Sequence, residues 1–401
     1  MKPDDALRVW QERGVLRPTV NWSEMMHEEH AAAFTVAKIA QLDLLSQVRE
    51  SLDRVLRDGG TFEQWKADIL PNLQRAGWWG VVQNRDLTGT DDSIVVNDRR
   101  LRTIYRTNLR MSISAGRWRK YQREKDLFPY LRYLSDHYRK HPRLDHKALH
   151  GVILPIDHPA WQWMFPPNGW GCNCRVEQVS EARMRRNGWV VSDRADALAT
   201  PPTTEFVRAD GTAVAVPTYV QPGFGYNPGT AHLQVLAERM TASIERALAN
   251  GLDDAAAASL RSIVDDPAFE QFLALPQPRF PLAIMPEADA SLIGARTRVA
   301  VLSDSDALKQ RVRSEQGDTF RALPSTYRSI VDIVRDFTIR GREGDNTMLY
   351  AMMREDGRYL CVVVQRTASG QGLFIKSVRV QASRTIDRLF SDAVDIVDRR
   401  N

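Results

Sequence analysis

The sequence predicts an α+β protein with a mainly helical N-terminal domain containing short strands and a smaller C-terminal α+β domain with an antiparallel sheet. Through most of the first 125 residues, apolar side chains recur every three or four positions, as on one face of a helix. After residue 345, short β-rich runs are separated by Asp-Gly and Ser-Gly turns. Pro- and Gly-rich sequence lies between these regions. We therefore expect domains at 1–190 and 286–401, joined by an extended linker and helical segment at 191–285.

Composition restricts the class of protein. The chain has 401 residues, of which 43% are hydrophobic and 26% charged, which is typical of a globular protein and not of a disordered one. The sequence has no unbroken apolar run of about 18 residues, so we expect no membrane-spanning helix and no membrane partner. The first residues, Met1 to Asp5, lack the apolar segment of a secretory signal, and we expect synthesis in the cytoplasm.

Two helices are predicted near the N-terminus. Apolar residues with helical spacing predict the first over residues 22–57, with Gly59 and its neighbour as the stop signal. Thr61 begins the second helix, and Gln64 three residues later completes a possible capping box. We expect Pro71 to bend or interrupt this second helix.

A third, longer helix carries most of a basic block. Asn97 is a suitable N-cap, and the pattern continues to about Lys125. Gly116 continues the apolar stripe and would allow another backbone to approach. Residues 99–147 contain 15 Lys or Arg against 4 Asp or Glu, which suits contacts to phosphates. A solvated face balanced by an acidic neighbour explains the same charge. The candidate DNA-binding residues are Arg102, Arg106, Arg110, Arg117 and Arg119.

The region from 137 to 174 contains five of the eight histidines and three tryptophans. His146 and His150 have the spacing of two residues on one helical face, and Cys172 and Cys174 can supply two thiolates. Together they predict a tetrahedral zinc site with a structural role. The alternative is that the cysteines are small buried apolar residues and the histidines form ordinary hydrogen bonds. No His-Glu-x-x-His pattern supports a catalytic zinc.

Loop, helix and strand patterns follow in the second half of the chain. The stretch 193–230 is loop-like, and we interpret it as a linker or an extended arm. The predicted helices cover 231–249, 253–264, 304–313 and 327–336, and the predicted strands cover 298–302, 347–353, 359–365 and 373–380.

Several segments, in a fixed order, resemble the phage Mu F-like head morphogenesis family. The central ones are Arg143 to Gly151, His158 to Trp161 and Pro166 to Arg175. Asp136 and Arg139 belong to the segment from Ser135 to Lys140, which is a stretched version of a compact motif in many relatives. No role is therefore transferred to these two residues. The other similar segments are Phe62 to Trp65, Gly77 to Gly80, Ile104 to Leu109, Gly116-Arg117 and Pro222 to Gly229, which extends the resemblance over roughly residues 20–230.

The resemblance implies a minor capsid protein of a tailed phage or prophage, present in few copies. It implies action in procapsid assembly, DNA packaging or ejection near the portal. The implied partners are the portal protein, the major capsid or scaffold protein, and phage DNA. The implied location is the virion, in the capsid interior or near the portal, with the host cytoplasm as the site of assembly. A stand-alone zinc-dependent nucleic-acid-binding protein is a further interpretation.

The C-terminal region from about 286 to 390 resembles phage nucleases of the barnase, EndoU, colicin and RelE group. The similar features are Val301 to Asp304, Tyr327 before a helix, and the strand Tyr359 to Val364. This resemblance implies an RNA-cleaving, toxin-like effector as the alternative function, with RNA as partner. A degenerate fold without activity is the competing interpretation, since no histidine follows His232. The candidate catalytic residues are Arg379, Lys376, Arg384 and Tyr350.

Overall fold

The computed structural model describes residues 4–13, 15–25, 29–136, 138, 142–265, 269, 279–303, 305–307, 309–310, 324–391 and 395–399. Its mixture of helices and sheets confirms the predicted α+β class. The chain divides into two compact units, Met1–Val235 and Leu236–Asn401. Arg139 lies outside the described residues, as do five of the ten residues of the predicted helix 304–313, Asp304 among them. Among the described residues, no helix combines the length and the apolar character needed to cross a bilayer.

The first helix predicted from the sequence is shorter in the structure. Residues 22–57 do not form one helix, because Phe34 and the residues around it enter the core in extended and turn conformations. The Phe34 ring packs edge-on against Trp10 with 5.4 Å between centroids. The elements of this region are α1 (Asp4–Glu12), β1 (Val15–Leu16), a 3₁₀ turn (Trp22–Glu24), α2 (Glu29–Ala32), β2 (Ala33–Phe34), which pairs with β1 in parallel, and α3 (Leu42–Asp58).

Helix α4 (Phe62–Arg75) begins as predicted. Thr61 Oγ1 accepts a hydrogen bond from the Gln64 amide at 3.3 Å, and Gln64 Oε1 accepts one from the Thr61 amide at 2.8 Å. Pro71 lies inside the helix without ending it, because Ile69 and Leu73 on either side are buried in the core and hold the turn in place. After α4 come β3 (Gly80–Val82), α5 (Arg85–Thr88) and β4 (Ile94–Val96), with β3 and β4 antiparallel.

Helix α6 (Asp98–Arg123) is the longest described helix of the first unit. The Asn97 side chain accepts a hydrogen bond from the Arg100 amide at 3.2 Å, which confirms the predicted N-cap. At Gly116, a Cβ atom would lie 2.7 Å from the backbone nitrogen of Ala6, so α1 crosses α6 where no side chain separates them. This confirms the predicted close approach, and it fixes which face of α6 is buried.

The rest of the first unit is built around a three-stranded antiparallel sheet. Its order is β6-β5-β7, with β5 in the centre. The stretch 193–230, expected to be a linker, contributes Val216, Val220, Phe224 and Tyr226 to buried positions. The elements are β5 (Tyr130–Leu134), α7 (Leu144–Ala148), β6 (Ile153–Pro155), α8 (Trp161–Met164), β7 (Arg175–Val179), α9 (Glu181–Asn187), α10 (Ala195–Ala199) and the hairpin of β8 (Thr203–Val207) and β9 (Ala213–Pro217).

The second unit contains a seven-stranded sheet of order β10-β11-β15-β14-β13-β12-β16, in which only the β11–β15 pair is parallel. The predicted strands at 298–302, 347–353, 359–365 and 373–380 are confirmed, and the first of them begins at Val299. Both faces of β13 are buried: Met348 and Tyr350 face one core cluster, and Leu349 and Ala351 face another. The elements are α11 (Pro228–Ala249), within which the unit boundary falls, α12 (Asp253–Val264), β10 (Phe280–Ile284), α13 (Glu287–Leu292), β11 (Val299–Leu302), α14 (Pro324–Arg328), α15 (Ile330–Ile333), β12 (Ile339–Glu343), β13 (Thr347–Met353), β14 (Tyr359–Arg366), β15 (Leu373–Gln381), α16 (Ser383–Ser391) and β16 (Asp395–Arg399).

Candidate functional site

Three of the four predicted metal ligands meet in the first unit. His146 lies on α7, and Cys172 and Cys174 lie at the end of the loop that joins α8 to β7. His146 Nδ1 is 3.6 Å from Cys172 Sγ and 3.5 Å from Cys174 Sγ. The three potential ligand atoms all lie within 4.8 Å of one another. We refer to these three residues as the thiol–imidazole cluster.

His150, the fourth predicted ligand, does not belong to this cluster. Helix α7 ends at Ala148, so the spacing of four residues does not place His150 on the same helical face as His146. The His150 side chain is exposed, and its Nδ1 accepts a hydrogen bond from the Ser135 amide at 3.2 Å. The predicted ligand set is therefore corrected to three residues in the described part of the chain.

The surroundings of the cluster are mostly buried. His146 is 3% exposed, as is Cys172, and the Cys174 amide donates to Cys172 Sγ at 3.4 Å. A hydrogen bond from the Cys172 thiol, followed by bonds from His146 and Tyr133, lowers the pKa of Cys174. The same bond to Cys174, together with burial, raises the pKa of Cys172.

The arginines of α6 form two groups: some side chains are exposed, and others are buried or bound to neighbouring groups. Each residue advances about 100° around the helix axis, so Arg99, Arg106 and Arg117 fall within a narrow sector. All three are exposed, and none of them has an ion-pair partner among the described residues. We call these three residues the α6 basic stripe. They include Arg106 and Arg117 from the predicted set and add Arg99.

The other three predicted arginines are buried or bound to neighbouring groups. Arg102 pairs with Glu63 at 3.0 Å and lies 3.9 Å above the Phe62 ring. Arg110 donates to the carbonyl oxygen of Cys172, and burial lowers its pKa. Arg119 is only 3% exposed, because it lies on the face that packs into the unit. The structure therefore corrects the prediction for Arg119, whose guanidinium cannot reach a phosphate from this position.

The candidate catalytic residues of the second unit do not all lie together. The Tyr350 hydroxyl, fully buried on β13, donates to Asp289 Oδ2 at 2.8 Å, and Asp289 also pairs with Arg340. Lys376 on β15 pairs with the buried Asp306 at 2.8 Å. Sequence patterns gave no signal for either carboxylate, since each one meets its partner only through the tertiary fold.

The remaining two candidates are closer to solvent. Arg379 is an exposed residue of β15, and its Nε donates to Ser377 Oγ at 2.8 Å. Arg384 is exposed on α16. Between Ile375 and Ser377, where Lys376 lies, the pairing with β14 shifts by one residue, which is a β-bulge. The positions of Arg379 and Arg384 are compatible with a phosphate near β15. Neither of these two exposed side chains is a buried proton donor for that phosphate.

Comparisons with known proteins find a matching protein family and related proteins. Residues 46–177 match the family described as Phage Mu protein F like protein. Capsid assembly protein F of Escherichia phage Mu is 35% identical over 243 residues, which cover 58% of this chain and 55% of that protein. The Mu-like prophage FluMu F protein of Haemophilus influenzae is 37% identical over 174 residues, which cover 43% of this chain and 41% of that protein.

The chain thus spans about half the length of the curated relatives it matches. No solved structure matches it. The family match lies entirely within the first unit and contains both the α6 basic stripe and the thiol–imidazole cluster. Residues 46–177 are therefore similar to the phage Mu F-like family.

Proposed function

We propose that this chain acts in head morphogenesis of a tailed phage or prophage. The observation that carries the proposal is the similarity, at 35–37% identity, to a phage Mu capsid assembly protein and a Mu-like prophage F protein. In this role the chain is a minor component of the head, present in few copies. Its partners are the portal protein and the major capsid or scaffold protein, and its place is the capsid interior or the vicinity of the portal.

The α6 basic stripe supports a DNA-facing part of this role. Three exposed guanidinium groups without acidic partners among the described residues attract a polyanion, whereas the ion-paired arginines of the same helix have less free charge to offer. With a rise of about 1.5 Å per residue, the stripe from Arg99 to Arg117 is about 27 Å long. We propose that this face contacts phage DNA during packaging or ejection.

A genetic experiment tests the proposal. In a host that produces particles, loss of the gene is expected to reduce the yield of DNA-filled heads, and the intact gene supplied in trans restores it. A variant with alanine at Arg99, Arg106 and Arg117 is expected to restore head assembly but less DNA filling. Arg186→Ala, which removes an exposed arginine of the same unit outside the stripe, serves as the control. A normal yield of filled heads without the chain would contradict the proposal.

RNA cleavage by the second unit stays a prediction and is the alternative function. The basic side chains Lys376 and Arg379 near the β15 bulge are the groups that would meet a phosphate. Incubation of the folded full-length chain with RNA tests it directly. Cleavage that Arg379→Ala abolishes would favour the effector, and intact RNA with folded protein would rule against it.

A further inference from the structure

We propose that His146, Cys172 and Cys174 bind a zinc ion through the imidazole Nδ1 and the two sulfur atoms. Zinc bonds of about 2.3 Å to sulfur and about 2.0–2.1 Å to nitrogen, at a tetrahedral angle, place nitrogen and sulfur about 3.6 Å apart. The observed separations are 3.6 Å to Cys172 and 3.5 Å to Cys174. Both nitrogen–sulfur separations thus match those of ligands of a single ion, and the three atoms all lie within 4.8 Å of one another.

The hydrogen bonding of His146 favours a cation over an ordinary core histidine. Its Nδ1 faces two sulfurs at nearly equal distances, although a ring nitrogen can form only one good hydrogen bond. Its Nε2 is buried and has no hydrogen-bond partner in the described part of the chain. One metal ion bound to Nδ1 and to both sulfurs would account for the two nearly equal distances, which a single hydrogen bond does not. The proton of the neutral ring then lies on Nε2.

The donor set selects the kind of metal. Two thiolates and one imidazole are soft and borderline ligands, which suit zinc and not magnesium or calcium. Both cysteines are free thiols in the structure, so no disulfide competes for the sulfur atoms. The described residues supply three of the four ligands of a tetrahedral ion.

The position of the site indicates a structural role. The loop from Pro166 to Cys174 contains no helix or strand, yet Trp170 within it packs edge-on against Phe224 at 5.1 Å. The carbonyl of Cys172 accepts a hydrogen bond from Arg110 on α6. An ion between α7 and this loop would hold the loop against the helix that carries the α6 basic stripe. We therefore infer a zinc ion that stabilises the face of the domain next to α6.

The metal content of the purified full-length chain is the first test. Protein prepared under reducing conditions with excess zinc and then freed of unbound metal is expected to retain about one zinc per chain. Cys174→Ser is expected to lose it. Cys361→Ser, which removes a buried cysteine of the second unit, and His150→Ala are expected to retain it. Folded wild-type protein without stoichiometric zinc would overturn the proposal, as would full retention by Cys174→Ser.

Cobalt substitution separates ligand loss from misfolding. Cobalt in the wild-type site is expected to give a thiolate-to-metal charge-transfer band in the near ultraviolet. In Cys174→Ser with an unchanged circular dichroism spectrum, this band is expected to be much weaker or absent, and in Cys361→Ser it is expected to be unchanged. A chelator is expected to lower the Tm of the wild-type chain but not that of Cys174→Ser. Equal cobalt bands in the three proteins would assign the metal to another site.

Discussion

Replacement of Arg106 by alanine tests whether the α6 basic stripe contacts DNA phosphates. Arg106 lies between Arg99 and Arg117 on the exposed face of α6, and none of the three has an acidic partner among the described residues. A guanidinium that meets a phosphate releases a condensed counterion, so each contact contributes to the salt dependence of binding. The substitution removes one such contact and leaves the buried face of the helix unchanged.

The number of exposed arginines sets the expected magnitude. Three phosphate contacts give a slope of about −2.7 in a plot of log K against log salt concentration. Between about 50 mM and about 200 mM salt, affinity should therefore fall by about 40-fold for the wild type. With two contacts left in Arg106→Ala, the slope becomes about −1.8 and the fall about 12-fold.

Fluorescence anisotropy of a labelled duplex of mixed sequence, longer than the stripe, measures both slopes. Arg186→Ala is the matched control, because it removes an exposed arginine from the same unit without touching α6. The control is expected to keep the wild-type slope. If Arg106→Ala keeps the wild-type slope, or if Arg186→Ala reduces it equally, the stripe is not the DNA contact and the reasoning is refuted.

Three further substitutions test the packing around these sites by urea unfolding. Gly116→Ala should lower the free energy of unfolding by about 1–3 kcal/mol, because its Cβ clashes with the α1 backbone. This cost exceeds the gain of about 1 kcal/mol in helix propensity. Gly60→Ala is the control and should be nearly neutral, because its Cβ would have only contacts of 3.8 Å or more. Asp289→Ala should cost about 3–5 kcal/mol by leaving its arginine partner uncompensated, whereas Asp336→Ala, in a half-exposed pair, should cost less than about 1 kcal/mol. Arg110→Ala should cost about 1–3 kcal/mol by removing the donor to the Cys172 carbonyl, and the salt slope of DNA binding should stay unchanged. Equal losses within either matched pair, or a reduced slope for Arg110→Ala, would contradict these assignments.

Local signals were sufficient where a few neighbouring residues decide the structure. The capping box at Thr61 and the N-cap at Asn97 act within one helical turn, and both helices begin where they were predicted to begin. The three strands from Thr347 to Gln381 were also predicted, because β-rich runs and turn residues alternate there. The parallel pairing of β11 with β15 has no such local signal, since it joins segments far apart in the sequence.

Helical spacing misled the prediction where tertiary contacts bury the same residues in another conformation. Phe34 fits the period of a helix, but its neighbours form a short strand and a turn, and Lys38 adopts a positive φ of 64°. After Ala148 the backbone bonds span three residues instead of four, from the Leu149 amide to the His146 carbonyl at 3.3 Å and from the His150 amide to the Lys147 carbonyl at 2.9 Å, so His150 leaves the α-helical face of His146. A closer count of the α6 period would have excluded Arg119, which lies four residues after the buried Ala115.

Quantitative mass spectrometry of particles purified at successive assembly stages tests the central claim most directly. The producing host supplies the particles, and peptides of this chain are compared with those of the major capsid protein. The proposed role predicts that the chain co-purifies with procapsids or heads in far fewer copies than the major capsid protein. Particles that lack the chain at every stage would contradict the proposed role in head assembly.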